Sequence, residues 1–600
     1  MAVNLLRKKL FGIADPRVDV NLLGSSRVRT ARCGTKRDNR LVELILVVVG
    51  AIMVTAIAHR RGLEPALVLV VVGFAVSFMP GFEGIELESE ILLSVVLPPL
   101  LYSAALDFSF PTFLRNIRPI LGLGVGLVVV TAVAVAGVAS WILPSLTFAT
   151  ALILGAVVAP PDAVTAVAVG RRLGLPKKVM AILTGESLVN DAAALSLFSI
   201  AVAQVAGSRA FIENPLLLFS YSAVLGPIVG AALGYITLWI RRRLAHPGLE
   251  TIQGLVVPFA AFICAEHLHG SGVLAVVVAG FVVGHGSLDA GYQTRLQERY
   301  VWNSVDVMLE AFVFAYIGLQ LRFVLEDLHA AGESLAEVAV ASGVVLVVVL
   351  AIRPACVFLM FGRGLLSRHV ESKLSVPVPA AGARGAFGTR KRKKRKWSDL
   401  IDRRLLTWQE SVVVSWTGMR GVVTLAAASG IPLLTADGQA FPERATIQAI
   451  AFAVSVGTLL LQGLTLPLLI RWLRPSFEAD RASDDAGTRK AEQIVHDAAH
   501  DVLARFAAEP TPGLDATTLA NIRLTIARHS QDADEMPDPE SHTLRAEVFA
   551  ALYRDVLVAQ RTALIAERDA GRIEDEAARA MLGRLDLQEA GVSARLESRF

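Results

Sequence analysis

The chain has 600 residues, of which 54% are hydrophobic and 19% charged, with a mean hydropathy of +0.54, a balance that excludes a soluble protein of this size. The net charge of +4 and pI near 9.0 do not point to nucleic acid, because in so apolar a chain what matters is where the positive charge lies relative to a membrane. Cys33, Cys264 and Cys356 are too widely separated to indicate a disulfide framework or a thiolate metal site.

Residues 1–40 form a basic tail without the apolar core of a cleavable signal. Beyond it the apolar residues come in blocks. The run 41–58 carries a single charge, Glu43, and 120–143 carries none, so each can cross a hydrocarbon layer that needs about 20 apolar residues. Hydropathy and helix breakers predict 13 spans, at 41–58, 64–79, 87–106, 117–143, 147–170, 179–205, 214–240, 251–268, 271–285, 304–321, 334–361, 409–430 and 445–473. The predicted fold is therefore an all-α polytopic membrane protein, with a transmembrane domain over 41–475. In the long loop between the eleventh and twelfth spans, the basic run Arg390 to Lys396 is expected to lie on anionic lipid. Residues 476–600 carry mixed charge and helical periodicity, as in 545–568, broken at Pro510 to Gly513 and Pro537 to Pro539. They predict a soluble helical domain. His496 and His500 stand at i, i+4 within it and are read as solvated rather than as a metal site.

Positive residues stay on the cytoplasmic side, so alternate loops test the topology. One set carries 13 Lys and Arg (Arg60, Arg61, Arg115, Arg118, Arg171, Arg172, Lys177, Lys178, Arg241, Arg242, Arg243, Arg295 and Arg299), and the long loop with the same parity adds 13 more. The opposite set carries three: Arg209, Arg322 and Arg444. The C-terminal domain is thus expected in the cytoplasm of a plasma-membrane protein. An odd number of spans then puts the N-terminus outside, against the ten Lys and Arg of residues 1–40. A different span count, export of the tail against its charge and a start near Leu41 all remain open.

Ionisable residues inside spans cost about 2.5–3.5 kcal/mol on insertion scales and are functional candidates by default. Asp162 falls in the fifth predicted span, Glu186 and Asp191 in the sixth, Glu310 in the tenth, Arg353 in the eleventh and Arg420 in the twelfth. Helical geometry puts Glu186 and Asn190 on one stripe and Ser187 and Asp191 on the next. The Ser187 hydroxyl and Asp191 carboxylate are hard oxygen ligands suited to a small, partly dehydrated cation. Pro160 and Pro161 remove backbone donors just before Asp162, and Gly418 and Gly421 flank Arg420. Two interrupted helices in corresponding halves of a chain are the pattern of a transporter's midplane site. Glu186 and Arg353 are each too costly alone and are expected to pair, locking two helices together. Arg420 is expected to offset helix C-terminal dipoles at a broken helix.

The motifs Pro160-Pro161-Asp162-Ala163-Val164, Gly185-Glu186-Ser187-Leu188-Val189-Asn190-Asp191 and Gly418-Met419-Arg420-Gly421 resemble those of the monovalent cation:proton antiporter family, in its electroneutral sodium/proton exchanger branch. The resemblance covers about residues 41–473 and includes the spacing of 29 between Asp162 and Asp191. It implies a 13-helix fold of two inverted six-helix repeats, with a dimerisation domain and a core domain, and a homodimer. It implies that Asp191 binds sodium or a proton, assisted by Asp162, Ser187 and the Pro161 carbonyl, that Asn190 replaces a second acid, and that Glu186 pairs with Arg353. The chain departs from many relatives in having Pro161 and Ala163 around the fifth-span aspartate, and Ser103 where some carry an acid.

The function expected is exchange of a monovalent cation, sodium first, for a proton in pH and sodium homeostasis, with no cofactor. Proton and cation would compete for Asp191, one for one, since Asn190 cannot take up charge. A potassium-selective version, a channel on the same fold, and a membrane-anchored sensor working through the C-terminal domain are the alternatives. An intramembrane enzyme is disfavoured by the lack of a His-Glu-x-x-His or nucleophile-elbow motif.

Overall fold

The computed structural model describes residues 45–79, 92–162, 164–207, 212, 214–244, 246–374, 406–473, 478–508 and 543–597. The basic tail 1–40 with Cys33, the run Arg390 to Lys396 and the two proline-marked breaks of the C-terminal domain lie outside them. Helix dominates: α1 (45–61), α2 (Pro65–Ser77), α3 (Leu92–Asp107), α4 (Phe110–Arg115), α5 (Ile117–Ile142), α6 (Phe148–Val158), α7 (Val164–Leu173), α8 (Lys177–Ala206), α9 (Pro215–Leu244) and α10 (Pro247–His267) occupy the first half. The second half holds α11 (Gly272–Gly286), α12 (Tyr292–Leu319), α13 (Leu321–Ala330), α14 (Leu335–Leu374), α15 (Trp408–Trp416), α16 (Val422–Ser429) and α17 (Arg444–Leu473), followed by α18 (Glu478–Ala508), α19 (Thr543–Asp569) and α20 (Asp575–Glu597). A helix lies in each predicted span, and among the described residues seven helical stretches are long and apolar enough to cross a membrane by length and composition.

Two of the predicted spans are broken. The α6 segment begins at a Thr147 cap, whose hydroxyl accepts the Thr150 N–H at 3.3 Å, and stops at Val158 ahead of the prolines. The α15 segment begins at Thr407 in a capping box with Glu410 and stops at Trp416 ahead of Gly418. Each restarts after its break, as α7 and α16.

Packing divides the membrane helices into two bundles. In one, α5, α6, α8, α14, α15, α16 and α17 pack on each other; in the other, α2, α3, α9, α10, α11 and α12 do. Within the bundles small residues let backbones touch. A Cβ on Gly226 would meet the Ser271 carbonyl oxygen at 2.5 Å, one on Gly230 would run into Ala275 backbone, and one on Gly234 would reach Val282, so α9 lies directly on α11. Gly155 of α6 meets the Ala132 backbone of α5 in the same way. Between the bundles the contact is made by apolar side chains, Leu188 and Ala192 of α8 and Val423 of α16 facing Leu97, Leu101 and Val276.

The C-terminal helices α18, α19 and α20 enclose a small core of their own, including Val495, Leu557, Leu564 and Leu582. His496 and His500 sit on α18 with ring centroids 6.4 Å apart, and no group of three or more potential metal ligands occurs among the described residues. Cys264 and Cys356 are both free thiols.

Gly73 and Gly318 seat α2 on α12: a Cβ on Gly318 would strike the Val70 carbonyl oxygen and lie 2.8 Å from the Gly73 Cα. Gly318→Val should therefore destabilise the protein by about 1–3 kcal/mol, as overpacking does, lowering its melting temperature in detergent. An unchanged melting curve would show that the two helices do not meet there.

Candidate functional site

The breaks in the two interrupted helices meet. Asp162 donates its N–H to the Met419 carbonyl at 2.5 Å, tying the 159–162 strand of backbone to 417–421. A helix that stops leaves its last carbonyls without partners, and in an apolar bundle they must find donors. Arg420, almost wholly buried, supplies them: Nε donates to Val158 O at 2.9 Å, Nη2 to Ala159 O at 3.4 Å and Nη1 to Gly418 O. Its own N–H donates to Thr458 Oγ1 at 3.0 Å. The guanidinium thus serves the C-terminal ends of α6 and α15 together, where positive charge is favoured. Gly421 matters here by what it lacks, because a Cβ at that position would fall on the Asp162 carboxylate.

Helix α8 presents its polar residues to two places. Glu186 turns to Arg353 of α14 in a bidentate pair, Nη2 to Oε2 at 2.8 Å and Nη1 to Oε1, with both side chains 2% exposed. Arg353 Nε also donates to Val414 O at 2.9 Å, so this one cation joins α8, α14 and the end of α15. Asn190 Nδ2 donates to the Pro161 carbonyl at 2.6 Å, and its Oδ1 has no hydrogen-bond partner among the described residues. The neighbouring stripe, Ser187 and Asp191, instead lines a cavity of about 250 Å³ between the bundles. Asp162 lines it from the broken α6–α7 segment, Thr424 from α16, and Glu310 from α12.

The structure therefore brings together Asp162, Ser187, Asp191 and Glu310 around one cavity, and sets Glu186, Arg353, Asn190, Pro161 and Arg420 behind it as the packing that holds the wall. Two groups of ionisable residues lie outside what sequence reasoning selected. Asp306 lines the same cavity one turn before Glu310 and accepts a hydrogen bond from Ser103 Oγ at 2.5 Å. Its i−4 relation to Glu310 was the available signal, obscured because residue 306 sits at the margin of a predicted span. Arg241, counted among loop charges, is buried and pairs with Glu298 at 2.5 Å across α9 and α12, while Thr294 donates to Glu250 at 2.9 Å beside it.

A family model described as sodium/hydrogen exchanger, transmembrane, matches residues 44–472. The chain belongs to the sodium/hydrogen exchanger family. It is thus one of a family of transporters, not enzymes. A protein of Mycobacterium tuberculosis named as a Na(+)/H(+) exchanger is 30% identical to this exchanger over 92% of this chain and 95% of its own length. The low-affinity Na(+)/H(+) antiporter NhaS1 of Synechocystis is 30% identical over 69% of this chain and 70% of its own. The solved structure of the sodium proton antiporter MjNhaP1 from Methanocaldococcus jannaschii superposes with a TM-score of 0.53, covering 72% of this chain and 98% of that one; at 18% identity the likeness is one of fold.

The Glu186–Arg353 pair generates a stability prediction. Removing one partner of a buried ion pair strands the other at a cost of about 3–5 kcal/mol. Arg353→Ala should lower the melting temperature of the purified exchanger, and Glu186→Ala together with Arg353→Ala should recover part of the loss. Strictly additive losses in this double-mutant cycle would contradict the pair.

Proposed function

We propose that the chain exchanges a monovalent cation, sodium first, for a proton at Asp191. The observation that carries this reading is the sorting of charge on α8: Glu186 is matched by Arg353, while Asp191 and Ser187 face the cavity together with Asp162. Hard oxygen donors of this kind, with no imidazole or thiolate among them, suit a small alkali cation. Asp162 and Ser187 would complete the cation's shell, and the Pro161 carbonyl, bonded to Asn190 behind the cavity wall, would assist. A proton and a cation compete for the same carboxylate, so each binds only when the other has left. Carrying the loaded bundle past the seam would expose the site to alternate sides of the membrane. Asn190, neutral and engaged with Pro161, contributes no second titrating charge, which favours one cation against one proton and hence electroneutral turnover.

The same reading includes the domain layout, a basic tail over 1–40, a transmembrane domain over 41–475 and a helical domain over 476–600 placed in the cytoplasm of a cell-membrane protein. In support, the helical domain bonds to Lys177 and Arg295, which belong to the Lys- and Arg-rich set of loops. The run Arg390 to Lys396 would rest on anionic lipid. Roles in pH and sodium homeostasis follow from the exchange. A homodimer belongs to the same proposal, and the mass of the detergent-solubilised particle, corrected for bound detergent, tests it: a monomer at working concentration would remove it.

Purified protein in liposomes, with the potential clamped by potassium and valinomycin, tests the central claim. Wild type should couple an imposed sodium gradient to proton movement, with an end-point unchanged between about 0 and −100 mV. One uncompensated charge per cycle is worth about 2.3 kcal/mol per 100 mV, so a shifted end-point would be plain and would reject electroneutrality. Asp191→Asn should insert and fold yet show no coupled movement. Exchange at the wild-type rate in that variant would remove Asp191 from the mechanism.

A further inference from the structure

The C-terminal helices lie on the end of the membrane domain where the ion cavity opens. A second cavity of about 300 Å³ shares Asp107, Arg171 and Thr184 with the first, so the two adjoin, and its outer wall is completed by Glu576 and Arg579 of α20. Besides its apolar packing on α18 and α19 through Ala578, Leu582 and Leu585, α20 meets the membrane helices at two unlike points. Around Asp586 the contact is largely buried: Arg295 of α12 donates Nε to Oδ2 at 2.7 Å, and Arg561 of α19 donates to Oδ1 at 3.0 Å and to Glu589 at 2.6 Å. Tyr292 and Ser593 add a hydroxyl contact at 2.8 Å. Two turns earlier, at the cavity mouth, the contact is lighter. Arg579 donates Nη1 to Leu106 O at 3.2 Å and Nη2 to Gly284 O at 3.4 Å, with Asp575 holding Nε at 3.0 Å. Those two carbonyls belong to the C-terminal turns of α3 and α11, where a cation is favoured, and the Gly284 carbonyl also accepts from Ser287 Oγ at 2.9 Å. Glu576 reaches Lys177, at the start of α8, at 3.8 Å, with both side chains well exposed, a kind of pair that holds weakly.

We propose that α20 is a gate on this mouth, hinged at Asp586 and latched by Arg579, and that Arg579 is a positioning residue controlling ion access from the face that carries the C-terminal domain. The latch contacts join α20 to α3 and α11 of one bundle and to α8 of the other, across the seam through which the ion must pass. Because the latch is made of a few partly exposed polar contacts while the hinge is buried, release would let α20 pivot about Asp586 together with the α18 and α19 core that it packs on through Ala578, Leu582 and Leu585, opening the mouth without undocking the domain. The proposal rests on the exchange reading for its purpose, but access can be measured without transport. If the latch holds the gate shut about nine-tenths of the time, breaking it raises access about tenfold.

The test uses full-length protein with Cys33, Cys264 and Cys356 replaced by serine and Ala104→Cys added, since Ala104 lines both cavities. The rate of labelling by a membrane-impermeant thiol reagent is followed from the domain-bearing face. Arg579→Ala should raise that rate about three- to tenfold, Glu576→Arg, which repels Lys177, should raise it in the same direction, and Arg579→Lys should stay near wild type. In liposomes Arg579→Ala should also lower the apparent KM for the cation on that face alone. Labelling unchanged in both latch-breaking variants, or a KM shift equal on the two faces, overturns the gate. Loss of all exchange in the wild type would instead count against the transport reading and leave the labelling result to decide the gate.

Discussion

Two stretches of backbone, 159–162 and 417–421, interrupt their helices inside an apolar bundle, and the polar groups they turn away from the cavity must be answered from within the protein. Most of the site follows from how that is done. Arg420 covers the ends of both broken helices, the Asp162 N–H and Met419 carbonyl satisfy each other, and Asn190 reaches the Pro161 carbonyl. Once these bonds are made, little freedom remains. Asp162 has to stand at the crossing, Gly421 has to lack a side chain beside it, and α8 has to run where Asn190 can reach the break. The carboxylates at the cavity are placed by backbone chemistry before any ion is considered.

The same economy appears along one turn of α8. Residues one apart on a helix diverge by about 100°, so Glu186 and Ser187 cannot face the same neighbour. Glu186 and Asn190 face the protein interior and bond to Arg353 and Pro161, which leaves Ser187 and Asp191 for the cavity. A buried ion pair is weak support for stability by itself. Here its geometric effect is the larger one, since Arg353 also grips Val414 and so fixes α8, α14 and α15 to one another.

Much of this was readable in the sequence because the membrane simplifies the code: an uncharged run of sufficient length means a span, a proline pair means a break, and a charge inside a span demands a partner. Asp162, Glu186, Asp191, Arg353 and Arg420 were found by that last rule. Asp306 escaped it because a charge near the end of an apolar run reads as the boundary itself. Arg241 escaped because arginines at helix ends are what topology counting expects, and nothing local announces that Glu298 folds back on it. The docking of α20 was beyond reach for another reason. Arg295 and Asp586 stand 291 residues apart, and on helices of mixed charge a residue that will pair looks like one that will stay solvated.

The glycine seams have a mechanical meaning beyond close packing. Gly226 and Gly230 of α9, Gly284 of α11 on α3, Gly73 and Gly318 of α2 and α12, and Gly155 of α6 on α5 each bring one backbone against another, and every one of these interlocks joins two helices of the same bundle. Backbone pressed on backbone resists sliding, because relative displacement drives carbonyls into the opposing chain. Across the seam lined by Leu188, Ala192, Val423, Leu97, Leu101 and Val276, smooth aliphatic side chains do the touching, and such surfaces can exchange partners by changing rotamer. Each bundle is thus interlocked within itself and joined to the other by a smoother seam, and the carboxylate-lined cavity lies on that seam.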